Sequence, residues 1–285
     1  MTEVRGLGLI PSPLDKRDIL MSSILPEFSI PRQFVADNIT PVRDQGPDGT
    51  CVGFACTVGM KESQEQKEHN KYIELSPRYL YQKCKEIDGI PEANGTYIRV
   101  AMEILYHIGV CEERYWPYHP AQIGRPEPGA DENASYYKVK SYCSMGKSLD
   151  TMKRSLVVNG PFVIGVTVYD NWRNPEVGKT GKIPMPSGNI LGGHALCVVG
   201  YDDDTQMFKF KNSWGDRWGD KGFGYLPYQY TEADIHFEAY GATDLIDDVE
   251  ALVKAKEKVL QQMGENFMEE KTLDDWSVEQ KINYH

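Results

Sequence analysis

No stretch of the 285-residue chain approaches the roughly 18 consecutive apolar residues that a membrane-spanning helix requires. Positive charge is also in deficit. Lys and Arg number 31 against 42 Asp and Glu, and the formal charge of −11 argues against a general nucleic-acid or anionic-membrane surface. CxxC pairs are missing, and the spacing of His194 and Cys197 leads into the strand-like "VVGY" rather than to a second ligand pair, so neither a metal nor a cofactor is expected. The three aspartates of "YDDDTQMF" read as a solvated hairpin turn rather than a calcium site. An apolar export signal is not evident either, since Asp15, Lys16, Arg17 and Asp18 occupy the early segment. The expectation is a cytoplasmic protein whose six cysteines (51, 56, 84, 111, 143 and 197) are free thiols.

What is present divides into three textures. Residues 1–28 form a proline-containing leader with an apolar patch at Leu7, Leu9 and Ile10. Residues 29–245 alternate helical and strand-like stretches. Over 246–285, Val249, Leu252, Val253, Val259, Leu260 and Met263 recur at helical spacing, which predicts an amphipathic helix packed on the body. A chain with 40% hydrophobic residues and 11% aromatics has enough material for a folded core.

The segment "DQGPDGTCVGFA" places a single cysteine after a glycine-rich approach. Downstream, "VGFACTVGMKESQEQKEH" reads as a helix whose Phe54, Ala55 and Val58 face inward, with Thr50 as its N-cap and Asp48-Gly49 as the preceding turn. Cys51 therefore stands at a helix N-terminus, where unpaired N–H groups and the macrodipole favour a thiolate. A small core cysteine would fit the same stretch.

A nucleophilic thiol needs a base. Of six histidines, His194 has the distinctive frame: in "LGGHALCVVGYDDD" two glycines precede it, so that backbone can approach at Gly193, and an apolar strand follows. In "FKFKNSWGDRWGDKGFGYL", Asn212 is placed to hold the imidazole tautomer and Trp214 to keep water from that contact.

These blocks, "IPRQFV…TPVRDQGPDGTCVGFA", "VNGPFVIGVTVYDNW", "GGHALCVVGYD" and "FKNSWGDRWGDKGFGYL", together resemble the papain-like cysteine peptidases over residues 29–245. In that family His and Asn follow the cysteine by about 130 to 150 residues; His194 fits at 143, and Asn212 overshoots at 161. The resemblance implies an α+β, two-lobed fold, with a helical lobe over about 29–115, a β-barrel-like lobe over about 116–245 and the active site between them. It implies Cys51 as nucleophile, His194 as base and acid, Asn212 as orienter, Gln45 as an oxyanion-hole amide and Trp214 as a shield. Gly95, Ile98, Phe162, Gly165 and Gly193 become candidate substrate-binding residues, Ile98 and Phe162 being equally readable as core.

Departures from the pattern are informative. Asp48 replaces the first cysteine of the family's C-G-[SA]-C-[WY] signature and Val52 its aromatic, so Cys84 loses the partner the family would give it. The reading is a hydrolase cleaving peptide or protein substrates through a thioester acyl-enzyme. An amidase or acyltransferase on the same fold, or a non-catalytic binding module, is the alternative. The leader is too short for the family's helical prosegment. It is expected to lie along the cleft as an intramolecular inhibitor, or else to strap the lobes together.

Overall fold

The computed structural model describes residues 5–25, 29–232 and 236–243, so the helix expected over 246–285 lies outside the described residues. The first described strand is β1 (Gln33–Val35), and the loop that follows it runs into the helix beginning at the cysteine. That helix is continuous but not uniform: α1 (Cys51–Phe54) passes into a π-helical stretch, Ala55–Lys61, and then into α2 (Glu62–His69). The widened turns lie where the helix rests on the sheet. A Cβ on Gly59 would stand 2.3 Å from Cys197 Cβ, so only glycine admits this approach.

Helices α3 (Pro77–Ile87) and α4 (Ile98–His107) pack against this first helix. Ser76 caps α3 by accepting the Tyr79 N–H at 3.0 Å, with Pro77 at the first helical position, where its missing donor costs nothing. The chain continues through α5 (Ala130–Ala134), β2 (Ser141–Ser144), α6 (Leu149–Val158), β3 (Phe162–Tyr169), α7 (Pro175–Thr180), β4 (Ile190–Asp202), β5 (Met207–Lys211), β6 (Phe223–Pro227), α8 (Gln229–Glu232) and β7 (His236–Thr243). No described helix is long and apolar enough to cross a membrane.

The strands form one antiparallel sheet in the order β2-β7-β3-β4-β5-β6, with β1 also pairing to β4. The 13-residue β4 thus touches three strands and gives this half its barrel-like curl. Two principal cores result. One joins the helices to the near face of β3, β4 and β7 (Val163, Ala195, Cys197, Val199, Tyr240), and the other fills the far side around Phe162, Phe208, Phe210 and Leu226. Trp116, Ala130, Ala134 and Val139 pack into the first of these cores, which helix and strand residues share. The fold is α+β, and β3 and β4 serve both cores.

Candidate active site

Cys51 occupies the first turn of α1 at the floor of the junction between the cores and is fully buried. Thr50 does not cap this helix with its side chain; its hydroxyl is drawn away to Tyr118 OH at 2.8 Å. Backbone N–H groups of Ala195, Gly8 and Val52 point at the sulfur, which places Cys51 beside the residue that follows His194 on β4.

His194 is fully buried, and its Nε2 lies 2.8 Å from Asn212 Oδ1. Because a carboxamide oxygen can only accept, Nε2 is the protonated nitrogen and Nδ1 keeps its lone pair. Nδ1 has no hydrogen-bond partner in the described protein, so it is the ring atom left for chemistry. Asn212 stands at the end of β5, its N–H donating to Gly222 O at 3.0 Å and its Oδ1 also accepting from Ser213 N at 2.9 Å. The Trp214 indole stacks on the imidazole, centroids 4.6 Å apart and planes 20° from parallel, covering the His194–Asn212 bond. Gln45 is buried beside them. Its side-chain Nε2 donates to Asp48 O at 2.7 Å and to Gly6 O at 3.2 Å, and its Oε1 takes the Ser213 hydroxyl.

The cleft is filled by the chain's own leader. Gly6 N donates to Gly46 O at 3.0 Å, Leu9 N to Gly193 O at 3.1 Å and Ile10 N to Thr96 O at 3.1 Å, and Thr96 N donates to Gly8 O at 2.9 Å. This strand runs antiparallel to Gly193 and parallel to Thr96. Its two glycines are required where it passes the active-site loop: a Cβ on Gly6 would sit 1.9 Å from Asp48 O and one on Gly8 1.8 Å from Gly49 O. Gly95 similarly yields room to the Gly8 carbonyl, which lies 2.3 Å from where its Cβ would stand. The Leu9 side chain enters a pocket at Gly165 and Ile98, a Cβ on Gly165 falling 2.4 Å from Leu9 Cδ2.

Four of the five expected cleft residues, Gly95, Ile98, Gly165 and Gly193, are therefore placed against the leader. Phe162 is not. Three positions from Gly165 along a strand, its side chain emerges on the opposite face and meets Phe208 edge-on, centroids 6.2 Å apart.

Beyond the cleft the leader is anchored in a second place. Ser12 N donates to Glu238 Oε1 at 3.3 Å, Arg99 Nε donates to Asp18 Oδ1 at 3.0 Å while its Nη2 pairs with Asp15, and Tyr240 OH donates to Asp18 Oδ2 at 2.7 Å. Met21 is fully buried in the β-side core. The leader both covers the cleft and ties the two sides together.

Burial sets the electrostatics here. It pushes the Cys51 thiol up to about 11 and the His194 imidazole down to about 4, the latter opposed only by the hydrogen bond His194 donates to Asn212. The thiolate expected from the helix N-terminus is therefore not the resting form beneath the leader; desolvation outweighs the dipole. Under the π-helical stretch lies a polar cluster that the sequence did not single out. Lys211 Nζ donates to Val58 O at 2.7 Å and Thr40 Oγ1 at 2.8 Å, and Glu62 accepts from Leu75 N at 3.0 Å with Arg43 3.7 Å away. All six cysteines are unpaired.

Comparison with known proteins adds relatives to this geometry. The profile described as "Papain family cysteine protease" matches residues 26–243. An uncharacterized peptidase C1-like protein of Acanthamoeba polyphaga mimivirus is 30% identical over 257 residues, covering 79% of this chain and 82% of that one. Cathepsin K of Gallus gallus is 29% identical over 208 residues, 65% of this chain and about half (54%) of the relative's length. Among solved structures, xylellain, a cysteine protease from Xylella fastidiosa, superposes with a TM-score of 0.74 at 28% identity, covering 85% of this chain and 97% of that one.

Proposed function

The chain belongs to the papain family of cysteine proteases, and from that membership we propose that it hydrolyses peptide bonds through a thioester acyl-enzyme on Cys51, with its leader acting as an intramolecular inhibitor. The observation that carries the proposal is the leader strand itself: an extended peptide lies in the cleft, hydrogen-bonded along its backbone to Gly46, Thr96 and Gly193, with Cys51 beneath it.

In the proposed reaction His194 Nδ1 accepts the Cys51 proton and the sulfur attacks the scissile carbonyl carbon. The resulting oxyanion is held by the Gln45 amide and the Cys51 N–H, and collapse expels the amine with the proton returned by His194. Water, deprotonated by the same nitrogen, then attacks the thioester and frees Cys51 with the acid product. Asn212 holds the productive tautomer throughout. The pocket at Ile98 and Gly165, which takes a leucine side chain from the leader, selects an apolar residue of the substrate. Retention of Cys51, His194, Asn212 and Gln45 together supports a catalyst over a binding module.

Under the leader this chemistry is silent for two reasons: access is closed, and the dry site favours a neutral thiol beside a neutral imidazole. Unpaired cysteines support a reducing, cytoplasmic setting, for which thiol titration of the denatured protein without reductant should return six. The peptidase reading is tested with a fluorogenic leucine-containing peptide and the full chain carrying Gly8→Val, which expels the leader strand. Hydrolysis should appear and vanish on adding Cys51→Ala. Hydrolysis that survives Cys51→Ala, or none at all, refutes it.

A further inference from the structure

The loop from Asp44 to Thr50 carries Gln45 into the site and delivers the chain to Cys51, yet it belongs to no helix or strand. The Gln45 amide is aimed in part by the loop, since Nε2 donates to the Asp48 carbonyl at 2.7 Å, while Gly6 O of the leader lies at 3.2 Å and the Ser213 hydroxyl holds Oε1. The orientation of Gln45 therefore depends on what fixes Asp48.

Asp48 is fixed by its carboxylate. Oδ2 receives Arg78 Nη2 at 2.8 Å, and Oδ1 receives the Ala121 N–H at 2.9 Å, joining the loop to the start of α3 and to the segment after Tyr118. Arg78 also donates to His119 O at 3.0 Å and lays its guanidinium over the Tyr118 ring, 4.5 Å from the centroid. The Tyr118 hydroxyl reaches 2.8 Å from Gln45 O and 2.8 Å from Thr50 Oγ1. With one proton to give, it donates to the Gln45 carbonyl and accepts from Thr50, so one phenol ties the residue before the cysteine to the oxyanion residue.

Arg78 is out of place by local rules. A cation in the first turn of a helix opposes the macrodipole, and its side chain is only 3% exposed with Nε unpartnered. A buried charge in an unfavourable position marks a residue kept for its partner. The partner, Asp48, stands where the resembling family's signature has a cysteine.

We propose that Arg78, Asp48 and Tyr118 are positioning residues that hold the Gln45 amide in its oxyanion-binding orientation by an ion pair and a phenol hydrogen bond. This rests on the peptidase reading and deepens it. The contacts contain no oxidisable bond, so the alignment of Gln45 is the same in reducing and oxidising media.

The test is a set of kinetic cycles with a peptide substrate on the full chain carrying Gly8→Val, which expels the leader strand. Any residual competition by the leader in cis weighs on apparent KM, while loss of Gln45 alignment weighs on kcat. Tyr118→Phe and Arg78→Met should each lower kcat about tenfold or more, with Arg78→Lys recovering part of the loss. In a Gln45→Ala background the same substitutions should cost no more than about twofold, because the donor they align is gone. Full additivity with Gln45→Ala, or an unchanged kcat, would overturn the proposal. A second readout does not depend on turnover. The Gln45 side-chain amide, assigned in a nitrogen–proton spectrum by its loss in Gln45→Ala, should exchange with solvent at least about tenfold faster in Tyr118→Phe and Arg78→Met. A Gly8→Val chain that cleaves no peptide refutes the peptidase reading and leaves this exchange to decide; unchanged exchange overturns the positioning role.

Discussion

In the proposed reaction Asn212 and Gln45 serve the same thiol through different partners, so their removal should have different signatures. Asn212→Ala leaves Cys51 and its helix intact but frees the imidazole to take the wrong tautomer, and turnover should fall by roughly tenfold or more with the melting temperature little changed. Gln45→Ala removes an oxyanion donor and should slow acylation by about 10². Steady-state kinetics with active-site titration in the Gly8→Val chain separate the two from misfolding; turnover equal to that of Gly8→Val alone in both would remove these residues from the mechanism. Gly165→Val would close the pocket that holds Leu9 and should shift preference from leucine toward smaller side chains. At this scale the sequence was informative where chemistry demands a residue type, as at Cys51, His194 and Asn212. It was uninformative where a role is defined by a contact. Phe162 and Ile98 were interchangeable as apolar residues until strand alternation put Phe162 in the far core and the start of α4 put Ile98 at the cleft. Arg78 looked like any charged residue at a helix start.

Among elements, the helix that begins at Cys51 was legible from its apolar spacing, but its π-helical middle was not. That distortion answers the close approach of Gly59 to Cys197, a contact between distant parts of the chain. The cluster beneath it follows the same logic, since Thr40, Glu62 and Lys211 come together only when β5 meets the helix. Replacing Lys211 with Met should destabilise the fold by about 3–5 kcal/mol, because Glu62 would be left buried with a weaker cation partner; chemical denaturation measures this. The leader, as an element, couples to pH through two groups of opposite sense. His194 is lowered to about 4 beneath it, so its contribution to docking is complete above pH 6.5 and is lost as the pH falls toward 4. Glu238, facing Ser12, the Ile98 N–H and Asp18, is raised by burial to about 7, so its contribution is complete below pH 4.5 and is lost as the pH rises through 7. Glu238→Gln should therefore abolish the loosening of the leader between pH 5 and 8, read as hydrogen exchange at Leu9 and Ile10 corrected for intrinsic rate. A variant whose leader loosens as the parent's does would exclude Glu238 from this linkage.

Over the whole molecule, the leader does two jobs with one strip of chain. Its first half occupies the cleft, and its second half holds Arg99 through Asp15 and Asp18 and buries Met21 in the β-side core. Removing residues 1–25 would consequently cost core packing as well as the cover over the cleft, whereas a substitution at Gly8 touches the cleft alone. The sequence showed an extended, proline-containing strip with an apolar patch, but its path depended on the glycine pairing of Gly6 and Gly8 with a loop some forty residues away. The most direct measurement is the rate of Cys51 alkylation by iodoacetamide near pH 7, located by mass spectrometry, in the parent and in Gly8→Val. The parent should react slowly, as a buried neutral thiol does, and Gly8→Val should react about tenfold faster or more, with the other five cysteines unchanged. Equal Cys51 rates in a folded Gly8→Val protein would contradict silencing by the docked leader.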